Sequence, residues 1–264
     1  MEKKMRIFSI ANQKGGVGKT TTAVNLATAI SALQKKVLLI DLDAQGNATI
    51  SLGVSRQGKK HNSYTVLTGQ DSIQTAMEKT EIPYLWVLPS TRELLGADIE
   101  LAGFDNPQYF LQRALSSPGL DIDYVFIDCP PAVGLLTINA LTASDAVIVP
   151  IQCEYLALEG VADLVKTIDR VQKNFNPSLD LHGILMTMFD KRSRLSSSVV
   201  EDVIRFFGHK VYSTIIPRNV RVPEAPSHGK PVLLYDWRST GAQAYINLAA
   251  EFLKREKELR HGKK

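Results

Sequence analysis

Apolar residues gather in six short runs, at 7–11, 37–40, 85–88, 124–127, 146–151 and 184–188. Several are apolar throughout, as in Val37-Leu38-Leu39-Ile40. A strand with one wet face alternates apolar and polar residues, whereas a strand covered on both faces does not. Between the runs, apolar positions recur at helical spacing over 20–33, 108–115, 156–174, 196–207 and 242–257. Short strands alternating with helices predict an α/β fold: a doubly wound, mostly parallel sheet flanked by helices, with right-handed crossovers. Ligands of such sheets bind beyond the carboxyl ends of the strands.

The pattern runs without a break or an internal repeat, so residues 1–264 read as a single domain. Residues 53–63, rich in Gly, Lys, Arg and Ser, read as an exposed loop. Residues 217–231, with four prolines, read as an ordered surface loop, and residues 255–264 as a frayed basic tail. The start has no signal-peptide pattern, and no run approaches the ~18–20 apolar residues that span a bilayer. Two cysteines, Cys129 and Cys153, are too few for a disulfide framework. The expectation is a cytoplasmic protein. The formal charge of +4 is unevenly spread. Residues 1–189 carry 16 Lys/Arg against 19 Asp/Glu, and residues 190–264 carry 15 against 8. A basic final quarter suggests a polyanionic partner, although a solvated face with a charged tail would look the same.

Between the first strand and the first helix stands Asn12-Gln13-Lys14-Gly15-Gly16-Val17-Gly18-Lys19-Thr20-Thr21. Strand, Gly-rich loop and helix is the context of a phosphate-binding loop. Its backbone N–H groups wrap phosphates, the helix N-terminus adds partial positive charge, Lys19 neutralises, Thr20 serves Mg²⁺ and Thr21 is a further donor. Lys14 is surplus to this pattern. It sits where the chain leaves the strand, poorly placed for phosphates in its own loop, so a second subunit's triphosphate is the alternative target.

Two strand-end acids complete the chemistry. Tyr124-Val-Phe-Ile-Asp128 has the Walker-B form, four apolar residues and then a carboxylate able to hold Mg²⁺ directly or through water. Val37-Leu-Leu-Ile-Asp41-Leu-Asp43 puts one acid at a strand end and Asp43 just beyond, where it suits orienting the water that attacks a γ-phosphate. A helix cap is the plainer role for such aspartates.

Lys-Gly-Gly-Val-Gly-Lys-Thr-Thr, Asp-Leu-Asp-Ala-Gln-Gly-Asn, Ile-Asp-Cys-Pro-Pro, Pro-Ile-Gln-Cys-Glu and the block from Ile216 to Pro231 resemble the deviant-Walker ATPases of the chromosome-partitioning ParA/Soj type. The likeness runs from about Arg6 to Leu253, and Ala44 departs from the Pro many relatives carry. The resemblance implies ATP and Mg²⁺ as ligands and a homodimer that forms on ATP binding. It implies that Lys14 reaches the partner's phosphates, that Gly15 lies at the dimer contact, and that Asp43 serves hydrolysis with Asp128 as the Walker-B acid. Pro217 and Asn219 match the loop that frames adenine, and Arg192 and Arg221 match a surface that holds double-stranded DNA without sequence preference. The implied partner is a ParB/Spo0J-type centromere-binding protein, and the ATP-bound form would associate with the nucleoid.

Charge spacing extends that surface to Lys191 and Arg194 in one loop, and to Arg218 and Lys230 in another. No helix-turn-helix or zinc-finger spacing offers base readout. A MinD-like membrane-cycling ATPase shares the loop, but its terminal amphipathic helix would need bulky apolar residues, and only Leu259 follows Leu253. No stable membrane association is therefore expected. An iron–sulfur reductase would need Cys129 and Cys153 as thiolates, yet both adjoin apolar strands and read as buried residues.

Overall fold

The apolar runs become central strands because each supplies side chains to two separate cores. In the computed structural model, which describes residues 5–155 and 157–261, Leu38, Ile40, Val125 and Ile127 point into one core. Val37, Leu39, Tyr124 and Phe126 point into the other. Every residue of Val37–Asp41 and of Tyr124–Asp128 is buried. Burying such side chains contributes about 1.5–3 kcal/mol each, and doing so on both faces fixes the sheet between two helical layers.

Seven strands form the sheet: β1 (Arg6–Ile10), β2 (Val37–Asp41), β3 (Glu78–Lys79), β4 (Leu85–Leu88), β5 (Tyr124–Asp128), β6 (Ala146–Gln152) and β7 (Asp180–Thr187). Their spatial order is β3-β4-β2-β5-β1-β6-β7, and only the β3–β4 edge pair is antiparallel. The expected doubly wound, mostly parallel sheet is present. On one face the helices Lys19–Ala32 and Thr240–His261 close over Phe8, Phe126 and Phe252, whose rings lie 4.9–5.8 Å apart. The helices Leu94–Leu101, Phe110–Leu115, Leu135–Ala143 and Ala157–Asn174 cover the other face. The predicted start of the last of these, Leu156, lies outside the described residues.

The C-terminal helix requires a correction. Residues 255–261 are helical rather than frayed, and residues 262–264 lie outside the description. The reason is Glu256, which is 1% exposed and receives both Arg6 Nε at 3.0 Å and Arg6 Nη2 at 3.1 Å. His182 Nε2 stands 3.4 Å from the same carboxylate, and Arg255 lies over the Tyr212 ring at 4.2 Å. A charged stretch that reads as solvated is thus tied to β1 and β7. Residues 217–231 also differ, holding the short helix Arg221–Glu224 and a 3₁₀ turn at Ala225–His228. Among the described residues no helix is long and apolar enough to cross a membrane.

Candidate nucleotide site

The register of β1, β5 and β2 aligns Ile10 with Asp128 and Asp128 with Asp41, so the loop and both acids meet at the carboxyl edge of the sheet. The loop turns through Gly18 at φ 91°, a left-handed conformation that suits glycine, directly before the helix Lys19–Ala32. Thr187 at the end of β7 pins it by donating to the Val17 carbonyl at 2.8 Å. Asn12 donates to the Pro150 carbonyl at 2.7 Å and accepts from the Lys14 amide at 3.0 Å. Lys19 is 7% exposed, and its ammonium donates to the Lys14 carbonyl at 3.1 Å, folded back into its own loop. Burial lowers its pKa, while Asp128 pulls the other way.

Lys14 is placed quite differently. Its side chain is half-exposed, with Nζ 3.7 Å from Glu154, a carboxylate that Arg218 also approaches at 3.9 Å. Beside it Gly15 is exposed, and a methyl group built there would meet nothing within 4 Å. Neither residue is explained by packing within one chain.

Asp128 is fully buried, and neither carboxylate oxygen has a hydrogen-bond partner among the described residues. Burial, and then the charge of Asp41, push its pKa well up; the nearby Thr20 hydroxyl pulls it back. A buried oxygen donor beside a hydroxyl fits a hard cation such as Mg²⁺. The described residues hold no group of three or more His, Cys, Asp or Glu able to bind a metal. An ion here would therefore depend on Thr20, Asp128 and the oxygens of a ligand.

Asp41, to which spacing assigns no role, is a brace. Its Oδ2 accepts from the Thr49 amide at 2.8 Å and the Thr49 hydroxyl at 2.7 Å, holding the short helix Asn47–Ser51. Burial raises its pKa to about 6, with the Thr49 bonds opposing the rise. Asp43 lies partly exposed beyond it; its Oδ1 accepts from the Gln45 amide at 2.9 Å, and its carbonyl accepts from the Ser90 hydroxyl at 2.5 Å. Thr49, Ser90 and Thr187 escape sequence reasoning because isolated hydroxyls carry no spacing signal.

Pro217 pairs with Phe189 just past β7, and Asn219 bridges the Thr240 hydroxyl (2.9 Å) and the Arg221 amide (2.8 Å). Next to Thr20 and Thr21 a cavity of about 230 Å³ is walled by Asn47, Val222, Pro226 and Lys230. A larger depression of about 990 Å³, along residues 53–59 and 91–93, has none of these loop residues on its walls. The basic residues expected to meet DNA are all exposed, but they differ in what they touch. Arg192 forms a fork with Asp190, and Arg221 pairs with Glu224 and Asp236. Lys191, Arg194 and Lys230 make no ion pair among the described residues. The cysteines are buried as expected, and burial pushes both thiols up to about 12, which opposes the thiolate form an iron–sulfur cluster needs.

Comparison with known proteins shows the family. The AAA domain family matches residues 5–181. The chain is 50% identical over 256 residues to the chromosome partitioning protein ParA of Caulobacter vibrioides, covering 96% of each. It is 50% identical to the sporulation initiation inhibitor protein Soj of Bacillus subtilis, covering 93% of this chain and 97% of that one. The chain belongs to the ParA/Soj family of chromosome-partitioning P-loop ATPases. Among solved structures, a Mycobacterium smegmatis protein described as cobyrinic acid a,c-diamide synthase, with bound ATP analogue and magnesium, has a TM-score of 0.85 at 38% identity and covers 96% of each chain. A nucleotide with Mg²⁺, as that structure holds, suits the loop and acids at this sheet edge.

Proposed function

We propose that this chain is an ATP-driven dimerisation switch that holds DNA without sequence preference and is reset by hydrolysis. The observation that carries the reading is the contrast between the two loop lysines. Lys19 is buried against its own loop, whereas Lys14 is half-exposed beside a glycine whose surroundings are open. A second copy facing this surface would bring Lys14 to the partner's triphosphate, as an arginine finger does in trans.

In the proposed reaction, Lys19 and the loop amides, with Lys14 from the partner, stabilise charge on the γ-phosphoryl oxygens. Thr20 and Asp128 would hold Mg²⁺, which supplies further neutralisation of phosphate charge. Asp43 orients the attacking water for in-line transfer, yielding ADP and phosphate. Pro217 and Asn219 frame the base. Two basic surfaces, each with Lys191, Arg192, Arg194, Arg221 and Lys230, then act together on DNA, so dimerisation raises avidity with no new contact. A ParB/Spo0J-type protein is the partner we assign to stimulated hydrolysis, with the ATP form on the nucleoid.

Retention of double-stranded DNA with ATP and Mg²⁺ tests the switch across several salt concentrations. Asp43→Ala should stay bound for longer than wild type, and Lys14→Ala should not be retained. Equal, ATP-independent retention of all three would overturn the proposal.

A further inference from the structure

The turn after Asp43 is held from outside. Three successive carbonyls, those of Asp43, Ala44 and Gln45, accept hydrogen bonds from side chains remote in sequence. Ser90 Oγ donates to the first, and the Arg56 guanidinium donates to the second and third. Arg56 Nε also reaches the Ser90 carbonyl at 3.3 Å, joining the two supports. Among the described residues this guanidinium has no carboxylate partner, so its directed hydrogen bonds go to backbone oxygens of the turn and its neighbour. The contact is close. Gly46 closes the turn at φ 64°, and a Cβ there would collide with Arg56 Nε.

We infer that Arg56 is a positioning residue that clamps the Asp43 turn in the conformation from which Asp43 orients the attacking water. The inference rests on the hydrolytic role proposed above for Asp43. A rigid guanidinium fork can hold two carbonyls at once, which a lysine ammonium on a flexible stem does less well. Small displacements of a group that orients a nucleophile cost rate rather than substrate binding. Arg56 lies in the loop 53–63, outside the phosphate loop and its cavity, so losing it should leave the ATP contacts intact.

The test compares wild type, Arg56→Met, Arg56→Lys and Asp43→Ala by steady-state ATP hydrolysis, and by amide hydrogen exchange of the nucleotide-free proteins. Arg56→Met should lower kcat by about tenfold or more while KM for ATP stays within about twofold. Exchange at residues 44–49 should quicken, with the central strands unchanged, and Arg56→Lys should fall between. Wild-type kcat in Arg56→Met, or a rise in KM that accounts for the loss while exchange at 44–49 is unaltered, would overturn the clamp. Wild-type turnover by Asp43→Ala would instead remove the role assigned to Asp43, and the clamp's purpose with it.

Discussion

At the amino edge of the sheet Glu256 is buried against Arg6 and His182; at the carboxyl edge Asp128 is buried beside another acid. Burial alone would raise the pKa of either group. For Glu256, His182 and the two bonds from Arg6 outweigh burial and bring the carboxyl down to about 2. For Asp128, Asp41 adds to burial and the Thr20 hydroxyl offsets only part of the rise, so its pKa stays well up. The first arrangement is complete within one chain and fastens the last helix. The second leaves a buried acid beside another acid, an arrangement that suits the Mg²⁺ role proposed for Asp128.

Removing the satisfied acid should have the larger effect. Glu256→Ala leaves Arg6 and His182 facing an empty buried position, and should cost about 3 kcal/mol in denaturant unfolding. Its pH dependence has a definite sign. Because Glu256 titrates lower when folded, its contribution is full above about 4.5 and disappears as pH falls towards about 2. His182, kept neutral by burial, adds acid sensitivity below 6.5. Asp41 opposes both, since a carboxyl raised to about 6 stabilises the fold as pH falls from 6 towards 3.8. Glu256→Gln should therefore flatten the loss of stability between pH 4.5 and about 2. An unchanged acid limb would mean that the network is not what makes the fold sensitive to acid.

The unsatisfied acid should behave in the opposite way. Asp128→Asn removes a buried charge beside Asp41, and should raise the stability of nucleotide-free protein by about 1 kcal/mol. The same change should abolish the extra stabilisation that Mg²⁺ gives in the presence of ATP, read from melting curves with and without the metal. A less stable apo variant with intact Mg²⁺ dependence would contradict this reading of the carboxyl edge.

The difference between the edges also explains what the sequence could disclose. The loop, Asp128 and the doubly buried strands were legible because each follows a local pattern: glycines at fixed spacing, an acid after four apolar residues, runs without alternation. The helix Leu135–Ala143 was not, because seven of its nine residues are buried and it has no polar face to create a helical period. Glu256 stayed hidden in a charged stretch, its partners 250 residues away at Arg6 and 74 away at His182. Arg56 was concealed likewise, being one cation in a loop whose composition reads as solvated. Long-range pairing of single polar residues leaves no trace in spacing.

In the proposed switch, ATP and a second copy of the chain complete the carboxyl edge, with Lys14 crossing between them. Sedimentation of Asp43→Ala and of the double variant Lys14→Ala, Asp43→Ala, each with ATP and Mg²⁺ and without DNA, tests it most directly. A dimer is expected for the first and a monomer for the second. Equal dimerisation of both, or a dimer that forms without nucleotide, would contradict it.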